Sequence, residues 1–504
     1  MFEKVLVANR GEIAIRILRA AREMGIRTVA VYSEADRAAP HLRFADEAIE
    51  IGPAASAESY LRIDRILEAA ARTGAEAIHP GYGFLAERAE FARAVEDAGL
   101  VFVGPSPETI EAMGDKTAAR RRMDAAGVPI VPGIVDPART AADALEAARE
   151  IGFPVLLKAA AGGGGKGMRV VETPDAVERA FEAAGREALA AFGDDAVYVE
   201  RYLARPRHIE IQVLGDAHGQ VVHLGERECS LQRRHQKLVE EAPSAVLDSG
   251  ARAAMGDAAV RAAAAVNYRG AGTIEFLWED GEFWFLEMNT RLQVEHPVTE
   301  LVTGIDLVQW QFRVAAGEAL SFEQDDVRFD GHAIECRITA EDPDGGFLPS
   351  TGRIGHLRLP EGAGVRWDGA IAEGYEVGLH YDPLLGKLIV HAPDRTLAID
   401  RMARALDEFE LTGVAHAAPF HRRVMRHEAF RAGDLSIRFL EEHPDLTSPA
   451  APDEDLALAA AVSAILLEED RRTSASPRRL ARDGGGVDLG SWRGAGHPGL
   501  GGGW

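Results

Sequence analysis

Residues 287–297 read Glu-Met-Asn-Thr-Arg-Leu-Gln-Val-Glu-His-Pro, and they concentrate side chains that could do chemistry. Glu287 and Asn289 lie two positions apart, so on a strand both project from one face. A further carboxylate, Glu275, lies upstream across a predicted hairpin. Two carboxylates and an amide oxygen form a hard ligand set that suits Mg²⁺ or Mn²⁺ bound together with substrate phosphates. The segment therefore predicts a metal site used in phosphate chemistry.

Arg291, Gln293 and Glu295 follow at the same spacing, and we expect them to continue the alternation along the strand. They would add a fixed cation, an amide and a candidate general base. A polar strand face in water is the alternative interpretation. The apolar flanks favour a buried site, where unpaired carboxylates are costly; these flanks are Ile274, Phe276, Phe283, Phe285 and Leu286.

The predicted hairpin sets a condition on this metal site. A two-residue turn at Asp280–Gly281 would place Glu275 opposite Leu286. Directly opposed residues share a face, so Glu275 and Glu287 would then point to opposite faces. Both can bind metal only if the loop has an odd number of residues or a β-bulge shifts the register.

The glycine-rich segment Lys158-Ala-Ala-Ala-Gly-Gly-Gly-Gly-Lys166-Gly-Met-Arg169 is bounded by a predicted strand on each side. Consecutive glycines let backbone N–H groups wrap a polyphosphate, and they let a loop close as a lid. The spacing to Lys166 differs from that of a P-loop, and no Ser or Thr follows it. A flexible turn is the alternative. Phosphate binding is favoured because Lys158 and Lys116 could approach the oxygens from two sides.

Three further segments carry candidate contacts for a nucleotide or another anion. Glu200 ends a predicted strand beside free backbone groups, as an adenine edge requires, and Leu203 could cover the ring. His208 lies on the polar face of an alternating strand. The segment Gln232–Lys237 gathers three cations and His235, and it could be a charge run that pairs with nearby glutamates. In so acidic a protein we favour an anion site.

Composition excludes several classes of function. A net charge of −24 argues against a nucleic-acid or anionic-membrane role, because either needs a basic face. No apolar run approaches the length of a membrane span, and the sequence opens on a strand pattern rather than a signal or transit peptide. Cys229 and Cys336 do not suggest a disulfide framework, so we expect buried thiols in a reducing cytoplasm.

The 504 residues predict about three domains and a tail. The first alternates strands and helices as a doubly wound sheet, and the loop His79–Phe84 should lie at its carboxyl edge, where ligands bind. The second holds the motifs above, and the third is richer in short strand patterns, among them Gly352–Leu359. The boundaries we predict are 1–114, 115–325 with a lid at about 130–203, 326–445, and 446–504 for a linker, a helix and a glycine-rich end.

Together these segments resemble the ATP-grasp enzymes, and five longer strings narrow the resemblance to biotin carboxylase over roughly residues 1–445. The strings are Val7-Ala-Asn-Arg-Gly-Glu-Ile-Ala, His79-Pro-Gly-Tyr-Gly-Phe-Leu, Gln232-Arg-Arg-His-Gln-Lys237, Glu287–Thr299 and His332-Ala-Ile-Glu-Cys-Arg337. The resemblance implies a three-domain α/β ATP-grasp enzyme: a doubly wound N-terminal domain, an ATP-grasp domain with a mobile glycine-rich lid, and a β-rich C-terminal domain.

The resemblance also implies a reaction and its residues. ATP would phosphorylate bicarbonate to carboxyphosphate, which would carboxylate N1′ of biotin. The residues implied for ATP are Lys116, Lys158, Gly164, Gly165, Glu200, Arg201, Tyr202, Leu203, His208, Gln232, His235, Glu275 and Glu287. Those for two Mg²⁺ or Mn²⁺ ions are Glu275, Glu287 and Asn289. Those for bicarbonate are Lys237, Arg291, Gln293, Val294 and Glu295 as the base, and those for biotin are Tyr82 and Arg337.

The sequence contains no Met-Lys-Met tripeptide of the kind that accepts biotin. We therefore expect biotin to arrive on a separate biotin carboxyl carrier protein, and we expect a homodimeric carboxylase that works with a carboxyltransferase subunit. An acetyl-CoA carboxylase is the first expectation for the complex, and propionyl-CoA or pyruvate carboxylase are alternatives. Two other interpretations stay open: an ATP-grasp ligase that joins a carboxylate to an amine, and a non-catalytic nucleotide-binding regulator. The ligase would have no reason for Lys237, Arg291, Glu295 and Arg337 together, and the regulator would be expected to have lost a metal carboxylate or the base, all of which are present.

Overall fold

The computed structural model describes residues 1–134, 136–159, 168–192, 196–448 and 454–474. Apolar strands and amphipathic helices alternate at its start and build a parallel sheet with the order β3-β2-β1-β4-β5. The order reverses between β1 and β4, which makes their carboxyl ends the topological switch point. The elements are β1 (Lys4–Val7), α1 (Gly11–Glu23), β2 (Arg27–Ser33), β3 (Glu47–Gly52), α2 (Ile63–Thr73), β4 (Ala77–His79), α3 (Ala89–Asp97), β5 (Val101–Phe102) and α4 (Pro107–Gly114).

The next segment forms a small antiparallel sheet, β7-β6-β8, with its own apolar core. Thr140 and Asp143 form a capping box that satisfies backbone N–H groups at the start of the first helix packed on this sheet. The sheet therefore accounts for much of the predicted lid region. Its elements are α5 (Lys116–Ala125), α6 (Ala141–Ile151), β6 (Val155–Ala159), β7 (Met168–Val171), α7 (Val177–Phe192) and β8 (Val197–Arg201).

Long antiparallel strands follow, and they carry most of the candidate site. The strands are β9 (Arg207–Gly215), β10 (Val221–Arg233), β11 (Gln236–Ala242), β12 (Gly270–Glu279) and β13 (Glu282–Asn289), and the helices are α8 (Ser249–Ala264), α9 (His296–Thr303) and α10 (Leu307–Ala315). Helix α8 covers one face of the strands with small residues, and its apolar side joins their core.

The same sheet continues into the C-terminal region in the order β13-β12-β9-β10-β11-β14-β21-β19. It therefore crosses the domain boundary predicted at residue 325. The elements here are β14 (His332–Thr339), β15 (Glu341–Asp342), β16 (Leu348–Pro349), β17 (Gly352–Arg353), β18 (His356–Arg358), β19 (Val365–Gly369), β20 (Glu376–Val377), β21 (Leu384–Ala392), α11 (Arg395–Glu408), β22 (Glu410–Thr412), α12 (Ala418–Arg426), α13 (Glu428–Ala432) and α14 (Phe439–Glu442).

The short strand pattern predicted over Gly352–Leu359 corresponds to two strands. The chain forms two short strands there, β17 and β18, which pair with β20 and β22 respectively. Residues 1–448 form one compact unit, and the following segment is a separate one whose described part is helix α15 (Glu454–Ser474). Among the described residues, no helix is both long and apolar enough to cross a membrane.

Candidate active site

The hairpin of β12 and β13 meets the condition that the sequence set for a shared metal site. Its turn is the two-residue Asp280–Gly281, with φ of 52° and 85°, as a type I′ turn requires. A β-bulge at Leu286 then shifts the register, so that Glu275 lies directly opposite Glu287. The two carboxylates therefore share one face of the sheet.

The predicted alternation beyond Asn289 is wrong, because β13 ends there and the chain turns into α9. The backbone N–H of His296 donates to the Gln293 carbonyl at 3.3 Å, and Pro297 occupies the first turn of the helix. Proline favours that position and is a signal of a helix start. The turn nevertheless buries Gln293 and Glu295 at the site.

Lys237 is the cation that joins the carboxylates of this site. Its ammonium donates to Glu210, to Glu275 Oε1 at 2.9 Å and to Glu295 Oε1 at 2.6 Å. Glu275 Oε1 also accepts from Asn289 Nδ2 at 2.9 Å. Because Lys237 touches both a candidate metal ligand and the candidate base, it connects the two halves of the site.

The charges of these groups follow from their neighbours. Burial alone would raise the pKa of Glu295, but Lys237 and Arg337 outweigh it and hold that pKa well below its usual range. Burial likewise opposes ionisation of Glu275, yet Lys237 and His208 lower its pKa strongly. Both carboxylates are therefore ionised at neutral pH.

Arg227 lies beneath these groups, fully buried. Its Nε donates to Glu210, and one terminal nitrogen donates to Gln293 Oε1 at 3.0 Å. The remaining N–H groups reach Gln212 at 2.7 Å, Thr299 at 3.0 Å and Thr273 at 3.1 Å. Every N–H group of the guanidinium therefore has an acceptor. The network fixes Gln293 directly, and it fixes Glu210, which in turn orients Lys237.

Arg337, on β14, pairs with the candidate base rather than with its strand neighbour Glu335. Its Nε donates to Glu240 Oε1 at 2.6 Å, and its terminal nitrogen donates to Glu295 Oε2 at 2.8 Å. Burial raises the pKa of Glu240 to about 7, against the opposing charge of Arg337. The guanidinium is thus held at the base by two carboxylates, one on β11 and one at the start of α9.

Arg291 is oriented from the N-terminal sheet. Its Nε donates to Glu87 Oε2 at 2.8 Å, and the other oxygen of Glu87 accepts the Thr290 N–H at 3.1 Å. A terminal nitrogen of Arg291 donates to Asn289 Oδ1 at 3.1 Å. The carboxylate of Glu87 therefore ties the loop after β13 to the doubly wound domain.

Tyr82 lies at the switch point of that domain. The loop that carries it is held by Asn9, whose Nδ2 donates to the carbonyls of Pro80 at 2.7 Å and Tyr82 at 2.8 Å. Gly81 has a φ of 66°, and a Cβ there would lie 2.9 Å from Asn9 Nδ2. The Tyr82 hydroxyl donates to Glu12, and burial raises the pKa of Tyr82 well above its usual value.

Several of the candidate nucleotide residues lie on β6, β8 and β9 and in the segment that joins β8 to β9. Glu200 pairs with Arg120, and Lys158 Nζ lies 3.9 Å from Glu200 Oε2. His208 Nε2 lies 3.0 Å from Glu275 Oε2, which joins these residues to the candidate metal carboxylates. Leu203 packs with Val131 and Trp284, Arg201 lies over the Trp284 ring, and Tyr202 donates its N–H to Pro154.

The remaining sequence-predicted residues lie at different depths. Gln232 is buried and pairs with Lys237 across β10 and β11, while His235 is exposed at the tip of that hairpin. Gly164, Gly165 and the side chain of Lys116 lie outside the described part of the chain, so they stay predictions.

Sequence reasoning missed the partners that orient the candidate residues. These are Glu12, Glu87, Glu210, Arg227, Glu240 and Lys387. A signal existed for some of them, because a lysine within Leu-Leu-Gly-Lys-Leu-Ile-Val and a glutamate two residues after His208 are charges in buried strands. Glu87 carried no such signal, since its contact is made with a residue 204 positions away.

The fold and this site define an ATP-binding enzyme of three matched parts. Residues 1–110 match the biotin carboxylase N-terminal domain, residues 115–323 the ATP-binding domain of the carbamoyl-phosphate synthase L chain, and residues 335–442 the biotin carboxylase C-terminal domain. The chain belongs to the biotin carboxylase family of ATP-dependent ligases.

Close relatives agree with this assignment. The biotin carboxylase of Nostoc sp. is 55% identical over 442 residues, which cover 88% of this chain and 99% of the relative. A pyruvate carboxylase subunit of Methanothermobacter thermautotrophicus is 55% identical over 443 residues, 88% of this chain and 90% of the relative. A solved structure of the biotin carboxylase domain dimer of Hydrogenobacter thermophilus 2-oxoglutarate carboxylase is also similar, with a TM-score of 0.82 and 50% sequence identity. The match covers 90% of this chain and 100% of that one, and that structure is a complex with MgADP, ADP and bicarbonate.

Proposed function

We propose that this chain uses ATP to phosphorylate bicarbonate and then transfers the carboxyl group from carboxyphosphate to N1′ of biotin. The observation that carries the proposal is the position of Lys237, which binds both Glu275 and Glu295. Phosphoryl transfer on one side and proton removal on the other are thereby coupled through one ammonium group. A ligase that joins a carboxylate to an amine would have no use for this arrangement together with Arg337.

The donor set on the β12–β13 hairpin fits Mg²⁺, and Mn²⁺ has the same ligand preference. Glu275 and Glu287 are directly opposed, Asn289 is two residues further on, and all offer oxygen atoms. The solved relative that contains MgADP supports Mg²⁺ as the ion. A bound ion would neutralise charge on the transferred phosphoryl group, and Lys158 would add a cation beside the phosphates.

Bicarbonate is a poor nucleophile until it loses its proton, so a carboxylate must lie within hydrogen-bond reach of it. We assign that role to Glu295, which is ionised and buried. Lys237, Arg291, Gln293 and the backbone of Val294 would hold the anion. As bicarbonate draws the Lys237 charge toward itself, the carboxylate of Glu295 loses part of its stabilisation and becomes a stronger base.

Biotin must be activated in a different way, because its ureido nitrogen is very weakly acidic. A fixed cation beside the ureido oxygen would stabilise the charge that develops there. Arg337 supplies a guanidinium next to Glu295, and its charge also acts on the Tyr82 hydroxyl. Tyr82 and Arg337 would therefore lie on either side of the biotin ring.

We further propose that biotin arrives on a carrier protein and that a carboxyltransferase passes the carboxyl group to an acyl-CoA, with acetyl-CoA as the first candidate. Pyruvate is a second candidate, supported by the name of the archaeal relative. The domain dimer of the Hydrogenobacter relative supports a homodimer. The cytoplasm, where ATP and bicarbonate are abundant, is the compartment we assign.

The test measures ADP release and carboxybiotin in parallel, with Mg²⁺, ATP, isotope-labelled bicarbonate and free biotin. We expect ADP release to depend on bicarbonate and to accelerate with biotin, and label to appear in biotin. Adding a carrier and each candidate transferase then assigns the acceptor. ADP release that depends on an amine and ignores biotin would overturn the proposal in favour of a carboxylate–amine ligase.

A further inference from the structure

Lys387 lies on β21 and is completely buried. It is paired directly with Arg337 on β14 and with Asp368 on β19, so all three side chains leave the same face of the sheet. Glu240 and Glu335, which oppose each other on β11 and β14, share that face. A buried ammonium is costly unless it is paired and hydrogen-bonded, so its contacts show what it does.

The ammonium of Lys387 meets groups from two other regions of the fold. Its Nζ donates to the carbonyl oxygen of Val294 at 2.7 Å and lies 3.2 Å from Glu12 Oε1. Glu12 lies in the first turn of helix α1, and the same oxygen accepts a hydrogen bond from the hydroxyl of Tyr82. One lysine of the C-terminal region is thereby bonded to the loop that precedes the candidate base and, through Glu12, to the candidate biotin residue.

The bond to Val294 acts on Glu295 through the backbone. The Val294 carbonyl belongs to the planar peptide unit that carries the Glu295 nitrogen, so fixing that oxygen fixes the orientation from which the Glu295 side chain starts. The bond to Glu12 fixes the acceptor of the Tyr82 hydroxyl in the same way. The ammonium of Lys387 therefore orients both Glu295, the candidate base for bicarbonate, and Tyr82, the candidate biotin residue.

Charge neutralisation alone does not account for these contacts. Glu335 lies on the same face and is completely buried, yet neither of its carboxylate oxygens has a hydrogen-bond partner within the described residues. Burial raises the pKa of Glu335 well above its usual value. Lys387 instead donates to the neutral carbonyl of Val294 and lies beside Glu12, and it makes no hydrogen bond to Glu335. These contacts are the ones expected of a residue that positions the loop.

We propose that Lys387 is a positioning residue that aligns the bicarbonate loop with the biotin-binding tyrosine. This inference rests on the proposed function and deepens it. Displacement of reacting groups by about 1 Å can cost about 10²-fold in rate. Loss of Lys387 therefore impairs carboxyl transfer to biotin, while ATP, whose candidate contacts lie on other strands, binds as before.

The experiment compares Lys387→Met with the double variant Glu12→Gln/Lys387→Met. The single variant leaves Glu12 buried without its cation, and we expect a lower thermal midpoint. The double variant removes that charge, and the amide at position 12 still accepts from Tyr82. We expect it to regain most of the thermal midpoint while carboxybiotin formation stays about 10-fold to 10²-fold below wild type and KM for ATP changes by less than about two-fold.

Lys4→Met is the matched control. Lys4 is also buried and binds a carboxylate, Glu47, at 2.7 Å and the carbonyl of Thr73, but it begins β1 at the end of the sheet opposite the switch point. We expect this variant to lose stability and keep its kinetic constants.

Three results are distinguishable. Recovery of both stability and rate in the double variant would mean that Lys387 only neutralises Glu12, and the inference would be wrong. Wild-type carboxybiotin formation in Lys387→Met would also overturn it. Absence of biotin-dependent turnover in the wild-type enzyme would instead refute the proposed function itself.

Discussion

Glu295 is held by two cations, which the proposed function assigns to different substrates. Lys237 binds one carboxylate oxygen at 2.6 Å and Arg337 binds the other at 2.8 Å. The side chain is 2% exposed, so bulk water does not compete for these bonds. A carboxylate in this position can take up the proton that bicarbonate loses, which is the role proposed for Glu295.

Glu295→Gln should keep the shape of the site and remove its base. We expect near-normal ATP binding and a loss of bicarbonate-dependent ADP release of about 10²-fold to 10⁴-fold, the usual contribution of a general base. Steady-state ADP release and equilibrium binding of ATP measure the two effects. Glu226→Gln is the control, because Glu226 is a buried carboxylate paired with Arg252 away from these residues. Wild-type turnover in Glu295→Gln would assign the base elsewhere.

Arg337 allows the two half-reactions to be separated. Arg337→Ala should abolish carboxybiotin formation, because the cation beside the ureido oxygen is lost, and leave ATP affinity and part of the bicarbonate-dependent ATP hydrolysis intact. Both products are measured on the same preparation. A purely structural ion pair with Glu240 would instead lower stability and depress both half-reactions equally. Arg395→Ala is the control for that outcome. It removes a comparable ion pair with Glu241, which is next to Glu240 on β11.

At the scale of elements, the bulge in β13 decides where the candidate metal ligands point. Leu286 is the extra residue, and it lies unpaired between the pairs Phe276–Phe285 and Glu275–Glu287. Deleting Leu286 would make the hairpin regular and still leave Glu287 opposite Glu275. Deleting Met288 would make Glu287 and Asn289 adjacent, and the two would then point to opposite faces.

These two deletions give a matched pair of variants. We expect the variant without Leu286 to retain Mg²⁺-dependent ADP release, and the variant without Met288 to lose it by at least about 10²-fold, because a ligand is displaced by more than 1 Å. The concentration of Mg²⁺ that gives half-maximal ADP release is the measurement. Retained Mg²⁺-dependent ADP release in the variant without Met288 would show that Asn289 need not share a face with the two carboxylates.

The hairpin also shows how far sequence can predict this site. The Asp280–Gly281 turn and the spacing of the carboxylates were enough to predict that a shared metal site needs an irregularity, because strand geometry has a strict period of two. The alternation assumed for Arg291 to Glu295 failed, although Pro297 signalled a helix start. Side chains reached the predicted site by a turn rather than by a strand.

Contacts that orient the site could not be predicted in the same way. Glu87 binds Arg291 and Glu12 meets Lys387 only because separate regions of the chain pack together. Local patterns report a face or a turn, whereas these pairings depend on the tertiary arrangement of the sheets. The candidate chemistry was therefore visible in the sequence, and the means of positioning it was not.

At the scale of the molecule, one sheet carries both Arg337 and the β12–β13 hairpin with the candidate metal ligands. The sheet crosses the predicted boundary at residue 325 through the pairing of β11 with β14. Glu241 lies at this crossing, 1% exposed, and accepts from His332 Nε2 at 2.8 Å and from Arg395 Nε at 2.7 Å. It therefore joins strand β11 to strand β14 and to the start of helix α11.

Glu241 gives stability a defined dependence on pH. Burial alone would raise its pKa, but the hydrogen bond from His332 and the charge of Arg395 outweigh burial and lower the pKa to about 2. A carboxyl group whose folded pKa lies below its unfolded value stabilises the fold above the unfolded pKa, here 4.5. That stabilisation, about 3 kcal/mol from the difference in pKa, is lost as the pH falls from about 4.5 to about 2.

Glu241→Gln should therefore lower the urea midpoint of unfolding at pH 7. The gap to wild type should narrow as the pH falls from about 4.5 towards about 2, because the unfolded wild-type carboxylate takes up a proton first, while the amide does not titrate. Urea unfolding followed by circular dichroism at several pH values measures this gap. Asp64→Asn is the control, since Asp64 pairs with Arg62 on the exposed surface, where water screens the charge, and its removal should change the midpoint little at any pH. A gap that stays constant from neutral to acid would mean that Glu241 stabilises the crossing by packing and hydrogen bonding alone, and that its charge contributes nothing to the joint between the two regions.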